Sequence, residues 1–172
     1  MTPTCNCRFL TPGEIAFAVS EGINTADIND VIVFFFAPFA EPVNKMVTWS
    51  GNVYIGPLIG YPQTFDFALQ PTSNAQAFVH ELTHVYQMRS GQLGWNVCIS
   101  AKEAIATSGS GSPYTHMPIT PGKNWNAYNI EQEAEMVANR FVLHRGFSVR
   151  TDLGNGAVTL TLLNGVPGIP HA

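Results

Sequence analysis

His80-Glu81-Leu82-Thr83-His84 is the stretch whose reading decides the fold. Ser73-Asn74-Ala75-Gln76 reads as a capping box ahead of it, and Gly91 is a natural stop behind it. Between them Phe78, Leu82, Val85 and Arg89 follow a helical period. On a helix, residues four apart stand on one face. Both imidazoles can then address a single point, with Glu81 one residue further round. Two neutral nitrogen ligands, an open water position and a neighbouring carboxylate are what zinc-dependent hydrolysis of a peptide bond requires.

A catalytic zinc takes three protein ligands and a water. In the short-spaced arrangement the third is a histidine six residues after the second, with glycine between. Gln87 and Ser90 occupy those positions here, so this route is closed. His116 falls in a long loop, His144 at the far end of a later helix and His171 in the tail. That later helix opens on a cap, Asn129-Ile130-Glu131-Gln132. It carries the apolar stripe Ile130, Ala134, Val137, Ala138, Phe141 and Val142, and stops at Gly146. Glu131 and Glu135 share one of its faces, whereas Glu133 is expected to point elsewhere. Glu131 is the preferred third ligand, with Glu135 as its competitor. In the preferred arrangement Glu135, one turn along, accepts a hydrogen bond from the non-ligating nitrogen of one histidine.

The remaining segments predict an α+β chain. Thr11-Pro12-Gly13-Glu14 caps a helix running to about Glu21. Val31 to Phe36 reads as a buried strand, and Lys45 to Trp49 with Asn52 to Ile55 as a hairpin around Ser50-Gly51. Cys98 to about Thr107 reads as a helix and Thr107 to Trp125 as a long loop. Phe147 to Arg150 and Ala157 to Leu163 read as a terminal hairpin. The expected architecture is a small mixed or antiparallel sheet packed on the His80–His84 helix and on a second helix that supplies the third ligand. Residues 1–172 form a single domain in this reading, with 1–8 and 165–172 as loose tails.

Charged residues make up only 12% of the chain, about half the usual share. The net charge of −4 and the absence of a Lys/Arg block argue against a nucleic-acid partner. No segment reaches the roughly 18 apolar residues of a membrane span; Val31 to Ala37 stops at Pro38. The first residues lack the basic start and apolar core of a signal peptide. The chain is then expected to be cytoplasmic at birth or to travel by a route that needs no such peptide, or else to be a domain cut from a longer polypeptide. Cys5, Cys7 and Cys98 are an odd number and do not suggest a disulfide framework.

The segment Ala77-Phe78-Val79-His80-Glu81-Leu82-Thr83-His84-Val85-Tyr86-Gln87 resembles the gluzincin metallopeptidase domains that are fused to, or travel with, VgrG spike proteins of type VI secretion systems. Tyr128-Asn129-Ile130-Glu131-Gln132 is similar to their later helix, and Phe9 to Ala16 and Asn52 to Ile55 are similar to their entry segment and a strand. The resemblance implies a zincin-like fold with Glu131 as third zinc ligand. It also implies an effector delivered by a contractile injection machine into a target cell's periplasm or a host, with a spike protein and an immunity protein as partners.

The expected mechanism has His80, His84 and Glu131 holding Zn²⁺ while Glu81 acts as general base and then acid. Tyr114 and His116 lead the candidates for stabilising the oxyanion, with Tyr128 behind them. A peptide substrate would add as a strand along Asn52, Val53 and Tyr54, taken as a sheet edge. Phe65, Phe67 and Trp95 either line a substrate pocket or pack in the core. The competing reading is a zinc-binding module without peptidase activity, its fourth position closed by Cys5, Cys7 or His116.

Overall fold

Alternation of buried and outward residues builds a four-stranded sheet in the computed structural model, which describes residues 6–37, 46–57, 60–91, 119–120, 122–150 and 157–170. The strands are β1 (Cys7–Phe9), β2 (Ile32–Phe35), β3 (Met46–Trp49) and β4 (Asn52–Ile55), in the order β1-β2-β4-β3. β2 and β4 run parallel, and the other two pairs are antiparallel. Val33, Phe35, Val53 and Ile55 lie on the inner face and are almost fully buried, as a period of two requires. The β3–β4 turn has Ser50 at φ 49° and Gly51 at φ 72°, the two positive angles of a type I′ hairpin.

Among the described residues five α-helices accompany the sheet: α1 (Pro12–Ser20), α2 (Thr25–Ile28), α3 (Thr72–Arg89), α4 (Ile130–His144) and α5 (Leu160–Asn164). The α1 capping box forms as expected, with Thr11 Oγ1 accepting from Glu14 N and the Glu14 carboxylate accepting from Thr11 N. α2 was not anticipated; at four residues it is too short to show a period. The core joins these layers through a run of rings. Phe67 stacks on Phe78 at 4.1 Å, Phe78 meets Phe17 edge-on, and Phe17 meets Phe141 at 5.3 Å. Phe67 is therefore a core residue, and Phe65 packs against it.

Of the described element pairs, α3 and α4 pack most extensively. Their polar contacts give the register. Gln76 meets Asn139, His80 meets Glu135, His84 meets Glu131 and Gln87 meets Ile130. A step up one helix is a matching step down the other, so the pair is antiparallel. A buried ion pair ties α1 to the same helix: Arg140 Nε donates to Glu21 Oε2 at 2.9 Å, and His144 Nδ1 lies 2.8 Å from Glu21 Oε1.

Several expectations need correction. α3 starts at Thr72 after Pro71, with no side-chain cap. Ser73 falls inside the first turn and cannot cap it, and Gln76 instead donates to Asn139 across the helix pair. Cys7 and Arg8 are not tail residues, because β1 pairs with β2. The terminal hairpin is short, Val149–Arg150 against Ala157–Val158. Thr159 then accepts a hydrogen bond from Leu162 N and starts α5. Residues 165–170 are docked: Val166 and Ile169 are 2% exposed, and Trp125 N donates to Pro167 O at 2.7 Å. The expected helix from Cys98, most of the loop from Thr107, and Trp95, Tyr114, His116 and His171 lie outside the described residues.

The docked C-terminal segment predicts a measurable cost. Ile169→Ala should destabilise the fold by about 2–5 kcal/mol, as for a core aliphatic truncated to alanine. Thermal or urea unfolding measures it, and an unchanged midpoint would restore the loose-tail reading.

Candidate metal centre

The cluster His80, His84 and Glu131 forms because two helices present a face each. His80 and His84 stand one turn apart on α3. Glu131 sits in the first turn of α4, where a carboxylate is favoured by the free N–H groups. Asn129 fixes that turn: its side chain accepts from Gln132 N at 2.8 Å, and Gln132 Oε1 accepts from Asn129 N at 3.1 Å. His80 is 9%, His84 4% and Glu131 7% exposed.

Three ligand atoms converge. Glu131 Oε2 is 3.2 Å from His80 Nε2 and 3.3 Å from His84 Nε2, and the two nitrogens are 3.1 Å apart. Tetrahedral bonds of roughly 2.0–2.1 Å put neighbouring ligands about 3.3 Å apart. The triangle therefore has the size and donor chemistry of a three-ligand zinc face. It is also the group of histidine and acidic side chains, among the described residues, that can hold a metal ion.

The electrostatics favour a cation at this point. Burial alone would lower the His80 pKa. Hydrogen bonds to Glu131 and Glu135, together with the charges of Glu81 and Glu135, overcome it and push His80 up to about 10. Burial opposes ionisation of Glu131, but hydrogen bonds and charge from both histidines hold it well below the usual carboxylate range.

Around the triangle the structure places further groups. Glu135 Oε2 lies 3.4 Å from His80 Nδ1. On the other histidine, Gln87 Oε1 lies 2.8 Å from His84 Nδ1, and Gln87 Nε2 donates to Glu133 Oε2 at 2.6 Å. Glu133 was expected to point elsewhere. It is 4% exposed because the first turn of α4 wraps it back onto α3. Burial, only partly offset by Gln87, pushes its pKa up to about 7. Glu81 leaves α3 toward the sheet, where Thr48 Oγ1 lies 2.9 Å from its Oε2 and 2.8 Å from its carbonyl oxygen. Burial raises the Glu81 pKa against the opposing pull of His84, His80 and Thr48. Arg89, at the end of α3, donates to Gly51 O at 2.9 Å and pairs with Asp30. This clamp holds the β3–β4 hairpin, and Thr48 with it, over α3.

Thr48, Gln87 and Glu133 were missed as site residues. Each carried a faint signal: a polar residue on the inward phase of a strand, a glutamine three places after His84, and an acid beside a buried Ala134. Two other expectations change. Asn52, Val53 and Tyr54 are not at a sheet edge, since β4 lies between β2 and β3. β3 is the edge beside α3. Tyr128 is 8% exposed and its hydroxyl accepts from Thr120 N at 3.1 Å, so it anchors the backbone ahead of α4.

Fold and site together define a small α+β domain with a buried His₂Glu cluster between two antiparallel helices. No family model matches the chain. It is 28% identical over 138 residues to the type VI secretion system spike protein VgrG2b of Pseudomonas aeruginosa, a match covering 78% of this chain. The match spans only 13% of that longer relative. A solved structure, the effector domain of Pseudomonas aeruginosa VgrG2b, is similar with a TM-score of 0.64 and 25% identity. It covers 80% of this chain and 75% of that one. Sequence and structure thus agree on homology with that effector domain.

Replacing Glu131 tests the third ligand. Glu131→Ala should weaken Zn²⁺ binding by more than the roughly 10–100-fold that loss of an outer partner costs, measured by chelator competition. Unchanged affinity would remove Glu131 from the ligand set.

Proposed function

We propose that this chain is a zinc metallopeptidase domain that a type VI secretion system delivers into target cells. The observation that carries the reading is the buried triangle of two Nε2 atoms and one carboxylate oxygen beside Glu81. A zinc ion held by His80, His84 and Glu131 would supply a Lewis acid and a water of lowered pKa.

The protein's own groups do the rest. Glu81 takes a proton from the attacking water and returns it to the departing amine nitrogen. Thr48 holds the carboxylate that makes this transfer. The raised proton affinity of Glu81 suits a group that must both accept and give back a proton. The substrate is an extended segment of protein or peptide. It adds to β3, Met46–Trp49, in place of the interior β4. Backbone pairing there demands little of substrate side chains. Tyr114 and His116 remain the proposed partners of the oxyanion.

Delivery rests on the likeness to the VgrG2b effector domain. A spike protein is the carrier in this proposal, and an immunity protein is the producer's protection. Cys7 is disulfide-bonded, which fits action in an oxidising compartment such as the periplasm. The bond also argues against Cys7 as the fourth ligand of a purely structural zinc site, which would need a free thiolate. Among the described residues no helix is long and apolar enough to cross a membrane.

Two measurements test the chemistry. Glu81→Gln should keep zinc and lose hydrolysis of a casein substrate by at least about 100-fold; a variant as active as wild type would overturn the mechanism. Thr48→Val should lower kcat roughly 10-fold or more with little change in KM, the scale of one hydrogen bond to a charged group. Thr48→Ser should restore it.

A further inference from the structure

The two histidines of the cluster are held by different means. His80 faces Glu135, a half-buried carboxylate, at 3.4 Å. His84 faces the amide of Gln87 at 2.8 Å inside the protein. An amide can offer an imidazole nitrogen either its oxygen or its NH₂ group, and the two choices select opposite tautomers. The other end of the amide decides which is offered. Gln87 Nε2 points at two acceptors, the Ile130 carbonyl at 3.2 Å and Glu133 Oε2 at 2.6 Å. Turning the amide over would set its oxygen against both of them. Oε1 is therefore turned to His84 Nδ1, which must donate a proton to it. Nε2, the atom that faces His80 and Glu131, is then the nitrogen available to a metal.

We propose that Gln87 and Glu133 are a coupled positioning pair: Glu133 orients the Gln87 amide, and the amide fixes His84 as a metal ligand through Nε2. This rests on the metal reading above and extends it to two residues that touch neither metal nor substrate. The neutral amide has its own reason. Glu81, Glu131 and Glu135 already surround the two histidines. A fourth carboxylate directly on His84 would add another negative charge at close range. Placing Gln87 between moves that charge one side chain away while its orienting effect is kept.

The test uses the full chain and Zn²⁺ as the probe, with affinity read by chelator competition and folding checked by circular dichroism. Gln87→Met, close in size and lacking the acceptor, should weaken zinc binding by about 10–100-fold. Glu133→Gln should weaken it too, because the Ile130 carbonyl alone is then left to orient the Gln87 amide. The exchange variant Q87E/E133Q should bind zinc more tightly than Glu133→Gln but less tightly than wild type: it again presents an oxygen to His84 with a donor behind it, yet sets a carboxylate on His84 and loses the Ile130 contact. A role in packing alone predicts no such recovery. If Gln87→Met fails to fold, the exchange variant compared with Glu133→Gln decides the matter: recovery supports the pair and equal weakness overturns it. Wild-type affinity in Gln87→Met would overturn the pair while leaving the metal centre intact. A wild-type chain that binds no Zn²⁺ would overturn the metal reading and this inference together.

Discussion

The antiparallel register of α3 and α4 is the constraint on which the rest of the structure depends. Between them the helices bury two histidines, two glutamates, a glutamine and an asparagine. Buried polar groups of this kind are costly unless each finds its partner. A slip of one residue would break the sequence of contacts from Gln76 and Asn139 to Gln87 and Ile130. Packing of apolar stripes alone would tolerate such a slip far better. The polar seam therefore supplies specificity, and Arg140 with Glu21 locks the same helix against α1.

The seam also sets the acids in different surroundings. Glu131 is driven toward ionisation by the two imidazoles it faces, which suits a ligand. Glu81 is turned away from α4 and onto β3, where burial raises its proton affinity, which suits a base. Glu133 is screened from the histidines by Gln87. Three carboxylates on two packed helices thus differ in behaviour because of direction and surroundings, not of residue type. The hairpin clamp at Arg89 belongs to this arrangement, because it brings Thr48 onto Glu81 from outside the helix pair.

Much of the centre was legible before any coordinates. His80, Glu81 and His84 announce themselves by spacing, and a helical period needs only local sequence. Glu131 was within reach because its helix has a capping box that marks where the first turn begins. The α1 box at Thr11 and the hairpin at Ser50-Gly51 were legible for the same reason: each is closed by residues within a few positions of one another. Where a local signal misled, a neighbour had intervened. Ser73 looked like a cap, but Pro71 ends the preceding segment and the helix begins two residues sooner. The C-terminal residues looked loose because their partner, Trp125, is far away in sequence.

By itself, the sequence determined the α+β class, the two principal helices and the identity of the groups that converge between them. Those properties follow from periodicity and capping, which act over a single turn. Only the tertiary structure decided which strand is the sheet edge, that Gln87 and Glu133 stand behind His84, and that Thr48 stands against Glu81. These depend on contacts 33 and 46 residues apart along the chain. No local pattern encodes which of several buried polar residues will meet across such a distance; that is settled when the helices and sheet pack and buried donors are driven to find acceptors.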